Sequence, residues 1–101
     1  MDDSKIISRC LSGEVEAFEL IVKKYQANML FLSWGILGDK EEAKDVTQEA
    51  FVQSYLNLSR FDRTRSFKSW LYSIAFKRCL DRIKKEKSLR EFIKKLMNRG
   101  N

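Results

Sequence analysis

A chain of 101 residues, 44% hydrophobic and 34% charged, has room for one modest core and too little for two domains. Four glycines and no proline supply too few tight turns for a sandwich or barrel, and suit an all-α bundle of about four helices joined by short loops. Histidine is absent, and Cys10 and Cys79 lack CxxC spacing. This removes the usual zinc ligands, thiol redox motifs and histidine acid–base chemistry, so no metal and no cofactor is expected.

The net charge of +6 is unevenly spread. Residues 1–50 carry 6 basic and 10 acidic groups, and residues 51–101 carry 14 and 4. A basic half is the electrostatic footprint of a polyanion partner, and equally the composition of a solvated helix face. The longest uncharged stretch, 25–38, has 14 residues, short of the roughly 20 that cross a bilayer. The start, Met-Asp-Asp-Ser-Lys, lacks the basic-then-apolar order of a signal peptide. A reduced, cytoplasmic chain without membrane insertion is expected.

A first short helix is predicted over Asp3 to Leu11, with Ile6, Ile7 and Leu11 as its apolar edge and Ser12-Gly13 as its end. The second runs from about Glu14 to Leu37. Phe18, Ile21, Val22, Tyr25, Met29, Leu32 and Ile36 step by three and four and share one face. Gly38 suits a left-handed cap, Asp39 the next N-cap, and Glu42 its capping-box partner, so a helix hairpin follows.

The third helix, about Lys40 to Leu58, buries Ala43, Val46 and Ala50, with Phe51, Ser54 and Leu58 as further candidates. Asp45, Gln48, Glu49 and Val52 are left as one contiguous exposed patch, read as either a partner contact or an ordinary solvated face. The apolar period breaks over 58–66, where Ser-Arg-Phe-Asp-Arg-Thr-Arg offers Thr64 or Ser66 as the next N-cap. A fourth, basic helix over 66–85 carries Phe67, Trp70, Leu71, Ile74, Ala75, Leu80 and Ile83 inward and Lys77, Arg78, Arg82, Lys84 and Lys85 outward. After Lys-Lys-Glu-Lys, Ser88 to Glu91 reads as another capping box. Leu89, Phe92, Ile93, Leu96 and Met97 then make a separate or kinked amphipathic helix to about Asn98, with 97–101 frayed. The expected organisation is a helical domain over 1–87 and a helical extension or linker over 88–101.

Carboxylate pairs such as Glu41/Asp45 and Asp45/Glu49 are everyday surface features, and no glycine lies in a phosphate-binding turn, so an enzyme is not expected. Nucleic acid fits better. The loop from Arg60 to Arg65 and the helix after it place cations beside Phe61, Phe67, Trp70, Tyr72 and Phe76, and single strands are held by aromatic faces that stack on bases while cations track the backbone. For Trp70, core packing competes with that role.

Several segments, taken together, carry a resemblance: Gly38-Asp39, then Asp45-Val46-Thr47-Gln48-Glu49-Ala50-Phe51, Arg60-Phe61-Asp62, Ser66-Phe67-Lys68-Ser69-Trp70-Leu71-Tyr72-Ser73-Ile74-Ala75, and Arg78-Cys79-Leu80-Asp81-Arg82. In order and spacing they resemble region two of the extracytoplasmic-function sigma factors of bacterial RNA polymerase, over about residues 4–87. The resemblance implies a transcription initiation domain whose Asp45, Gln48, Glu49 and Val52 dock on the clamp helices of the polymerase beta-prime subunit. It implies that Arg60, Phe61, Arg63, Arg65, Phe67, Trp70, Lys77 and Arg78 open the minus-ten promoter element and hold the single-stranded nontemplate DNA. An anti-sigma protein is a further implied partner. Two features depart from the family: Lys77 stands where many relatives have asparagine, giving up an amide's paired donor and acceptor for a point charge, so the base preference is left open, and the helix-turn-helix domain that reads the minus-thirty-five element is missing from this chain, as expected of either one domain of a longer protein or a single-domain relative. The alternative reading is an all-helical protein-interaction module with a merely solvated basic face.

Overall fold

The computed structural model describes residues 2–99. Helix α1 spans Asp3–Leu11, α2 Phe18–Leu37, α3 Lys40–Leu56 and α4 Phe67–Arg99, with 3-10 turns at Val15–Ala17 and Leu58–Arg60. No strand occurs among the described residues, and none of their helices is long and apolar enough to cross a membrane.

Local chemistry sets most boundaries. The Asp2 carboxylate accepts from the Ser4 amide at 3.0 Å and starts α1. Gly38 takes φ +73°, a left-handed conformation that only glycine adopts cheaply, and its amide donates to Trp34 O at 2.8 Å. Asp39 then accepts from the Glu42 amide at 3.0 Å. The return half of that capping box, expected of Glu42, is replaced by an ion pair 3.7 Å away with Arg82 of α4. Helix α3 ends two residues earlier than expected, because Leu58 is buried from the 3-10 turn instead. At the next helix start Ser66, not Thr64, is the cap: Ser66 Oγ accepts from the Ser69 amide at 3.2 Å. Thr64 folds onto Asp62, donating from its amide at 3.0 Å and from Oγ1 at 2.7 Å.

The core is a layer of α4 across the α2–α3 hairpin, with α1 closing one end. Ile21, Met29, Ala50, Leu71 and Ala75 have no exposed surface. Helix α4 buries Phe67, Leu71, Ala75 and Cys79, a ladder in steps of four that fixes its inward face. Leu80 and Ile83 were expected on that face, but at 100° per residue they turn with Phe76 to the outer side and are 40% and 38% exposed.

The expected break at 85–88 does not occur, and α4 is one helix of 33 residues, about 50 Å long. The segment Lys84–Phe92 contains no glycine or proline, and Ser88 in a helix interior costs little, so nothing stops propagation. Met97–Arg99 are helical too, while the last two residues of the expected frayed end, Gly100 and Asn101, lie outside the described residues. From Ile83 onward every described residue of α4 is exposed, and the helix draws the molecule out to 62 × 23 × 22 Å.

Candidate nucleic-acid and partner interface

The turn between α3 and α4 is built on three rings. Phe61 lies 5.4 Å from Phe67 and 5.0 Å from Trp70, and Phe67 lies 5.7 Å from Trp70. Phe61 and Phe67 are buried, at 7% and 5% exposure, with Tyr25 packed at 6.2 Å from Phe67. The stacking role expected of these two phenylalanines therefore does not suit their placement, since their faces are already covered by protein. They support Trp70, which is only partly buried and lines an open groove of about 470 Å³. Of the other two aromatics expected beside the cations, Tyr72 packs on Tyr25 at 6.1 Å and Phe76 projects from another side of α4.

Arg60, Lys77 and Arg78 line the groove with Trp70, and Gln53, Asn57 and Asp81 complete its polar wall. Among the described residues no carboxylate stands within ion-pair distance of Arg60 or Lys77. The other arginines are engaged. Arg63 leaves the groove and straps the turn to α1, donating to Ser4 O at 2.7 Å, Ser4 Oγ at 3.0 Å and Ser8 Oγ at 2.8 Å. Arg65 lies 3.6 Å from Asp62. Arg78 donates to Gln53 Oε1 at 2.8 Å and sits 3.9 Å from Glu49. The turn thus splits the three arginines expected to act together, and only Arg60 faces the groove. Hydrogen bonds from Thr64 hold the Asp62 carboxyl below its usual range, so it is ionised at neutral pH and keeps the turn tight.

Asp45, Gln48, Glu49 and Val52 do converge. They line a shallow depression of about 350 Å³ with Gln53 and Arg78, and Val52 is 58% exposed. The two surfaces therefore adjoin, sharing Gln53 and Arg78. Near this junction the two sequence halves meet. Glu49 meets Arg82 at 3.1 Å and Glu42 meets it at 3.7 Å, so the acidic face of α3 and the basic face of α4 neutralise each other along their seam. Gln53 and Asn57 had no place among the expected site residues. The signal was the row Asp45, Glu49, Gln53, Asn57 at steps of four, which continues the Asp45–Val52 face into the groove.

Residues 21–89 match the family described as Sigma-70 region 2. The ECF RNA polymerase sigma factor SigW of Bacillus subtilis is 41% identical over 83 residues, 82% of this chain and 44% of that protein. The RNA polymerase sigma-H factor of Pseudomonas aeruginosa is 41% identical over 72% of this chain and 38% of its own length, and the ECF sigma-E factor of Escherichia coli K12 is 33% identical over 74% and 39%. An NMR structure of an engineered region 2 of sigmaE in complex with GTAAAA superposes with a TM-score of 0.80 at 31% identity, covering 86% of this chain and 90% of that one. The fold and these matches define a region 2 domain of the kind found in bacterial transcription initiation factors, a class of non-enzymatic proteins. This chain belongs to the sigma-70 region 2 family, among the ECF sigma factors, and spans about two-fifths of the length of the curated relatives it matches.

Proposed function

We propose that this domain recruits RNA polymerase through the Asp45–Val52 face, docking on the clamp helices of the beta-prime subunit, and that it opens the minus-ten element by holding its nontemplate strand in the Trp70 groove. One observation carries the DNA half: Arg60 and Lys77, neither in an ion pair among the described residues, line one groove with a braced indole, and with Arg78 they outnumber its one carboxylate, Asp81. A positively charged groove with an aromatic platform is the arrangement that holds unpaired bases and their backbone. The GTAAAA complex of the engineered sigmaE region 2 supports the same reading.

In this mechanism Trp70 replaces the stacking that a base loses when the duplex opens, while Arg60 and Lys77 neutralise the flanking phosphates. Lysine at position 77 supplies a point charge where an amide would supply a paired donor and acceptor. It therefore contributes affinity more than base discrimination. Gln53 Oε1 accepts from Arg78 and Asn57 Nδ2 donates to Gln53 O, so Gln53 Nε2 and Asn57 Oδ1 are the amide atoms that remain to read a base edge.

The polymerase half rests on Asp45, Gln48 and Glu49 framing an exposed Val52, a polar rim around an apolar contact. The test has two arms. Gln48→Ala with Glu49→Arg is expected to abolish retention of the domain on immobilised beta-prime clamp helices, and Trp70→Ala to weaken binding of a minus-ten nontemplate oligonucleotide by the stacking energy of a base, about 1–3 kcal/mol. Unchanged retention overturns the first assignment and unchanged affinity the second. The inhibitory anti-sigma partner belongs to the same proposal, as a protein covering one or both faces.

A further inference from the structure

The inward face of α4 does not stop where the bundle stops. The angular sector that holds Leu71, Ala75 and Cys79 continues along the helix through Arg82 to Leu89, Ile93 and Leu96, with Phe92 and Met97 at its edges. These five apolar residues are 45–72% exposed. Arg90 and Lys94 border them on one side, Lys95 and Arg99 on the other, and the one acid between Leu89 and Arg99, Glu91, turns to the opposite side, while Glu86 lies a turn earlier, toward the bundle.

A second surface has the complementary character. Between the start of α2 and the end of α3, Val15, Phe18, Val22 and Tyr55 line an apolar groove of about 380 Å³ whose charged lining residues are Glu16 and Glu19, the latter in an exposed ion pair with Lys23 at 3.4 Å that a competing cation can replace. The Phe18 and Tyr55 rings meet edge to face at 5.4 Å across it. Val52 closes the groove on the side of Asp45 and Glu49.

We propose that these two surfaces bind each other between copies of the chain, the tail of α4 from one molecule lying in the glutamate-rimmed groove of a second. The match is of both kinds: an apolar stripe with basic borders meets an apolar trough with acidic borders. A tail-to-tail pairing instead brings basic borders together. Because α4 is continuous and carries its tail away from the bundle, the contact forms in trans. The buried area is small, so the association is weak, with a dissociation constant of about 10–100 µM. Docking covers Val52, so self-association and any partner of the Asp45–Val52 face compete. The docking itself does not depend on who that partner is.

Sedimentation equilibrium of the whole chain, from about 1 µM to several hundred µM, tests this. The weight-average mass is expected to climb above 12.0 kDa at the top concentrations and to fall back as salt is added. Phe92→Glu with Leu96→Glu, and separately Val15→Lys with Glu19→Lys, are each expected to remain monomeric with helical circular dichroism intact. An equimolar mixture of the two variants regains association, because one supplies a sound groove and the other a sound tail. Should the charged tail lose helicity, Leu96→Gln with Met97→Gln makes the same test with good helix formers. A wild-type chain that stays at monomer mass, a groove variant that associates like wild type, or a mixture that stays monomeric overturns the proposal.

Discussion

Arg78 of α4 donates to the side-chain oxygen of Gln53 of α3 across 2.8 Å, and this bond stands where the partner depression and the Trp70 groove meet. Its guanidinium also lies 3.9 Å from Glu49, so one cation orients a residue on each side. Because these groups are substantially exposed, Arg78→Ala is expected to cost no more than about 1 kcal/mol of stability. The informative quantity is the coupling. A double-mutant cycle of Arg78→Ala and Gln53→Ala in urea denaturation should give about 0.5–1 kcal/mol. Additive losses would show that the bond does not organise the junction.

Trp70 and Phe67 sit 5.7 Å apart yet should fail differently. Phe67 is 5% exposed, and Phe67→Ala is expected to destabilise the domain by about 3–5 kcal/mol through the cavity it leaves. Trp70→Ala removes a partly exposed platform, and should weaken oligonucleotide binding by about 1–3 kcal/mol with a smaller effect on folding. Urea midpoints and fluorescence anisotropy separate the two. Equal DNA losses at equal residual stability would put Phe67 back in contact with the bases.

The basic residues divide in the same way. Arg60 and Lys77 are uncompensated and should each contribute to counterion release, so Arg60→Ala and Lys77→Ala are each expected to flatten the slope of log affinity against log salt by about 0.7. Arg63 makes three hydrogen bonds to α1. Arg63→Ala should leave that slope unchanged and cost about 1 kcal/mol of stability, since its bonds are charge-assisted but solvent-exposed. A change of slope in Arg63→Ala would return that arginine to the DNA path.

The legible parts of the fold were those governed by local rules. Gly38-Asp39 announced a hairpin because a left-handed glycine ends one helix and the next carboxylate caps the following one, and the period of α2 and α3 marked their buried faces within a residue or two. That Asp45, Gln48, Glu49 and Val52 come together was legible because they share one side of one helix. What the sequence did not disclose was decided between elements. Phe61 and Phe67 looked like platforms, but Phe67 is enclosed against Tyr25 and Phe61 against Phe67 and Trp70. The arginines at 60, 63 and 65 are neighbours in sequence, but a tight turn sends them in three directions. Ser88 to Glu91 had the pattern of a capping box, yet a cap is a backbone event, and a chain of helix formers without glycine or proline has no reason to break there.

Glu42 and Glu86 offer a pH-dependent test of the α3–α4 seam. The Glu42 carboxyl is pushed above its usual range, first by its hydrogen bond with Glu86 and then by partial burial, with Arg82 opposing. A raised native value means the folded state holds the proton more tightly than the unfolded chain. Its stabilising effect is therefore full below the ordinary glutamate pKa of about 4.3 and is lost as pH rises through the native value. Glu86→Gln keeps a hydrogen-bond donor for Glu42 and removes the repulsion. It is expected to raise the melting temperature at pH 7, with a difference from wild type that shrinks toward zero as the pH approaches 4. A melting curve for Glu86→Gln that matches wild type at pH 7, or a gain that grows on acidification, would place the two carboxylates out of each other's reach.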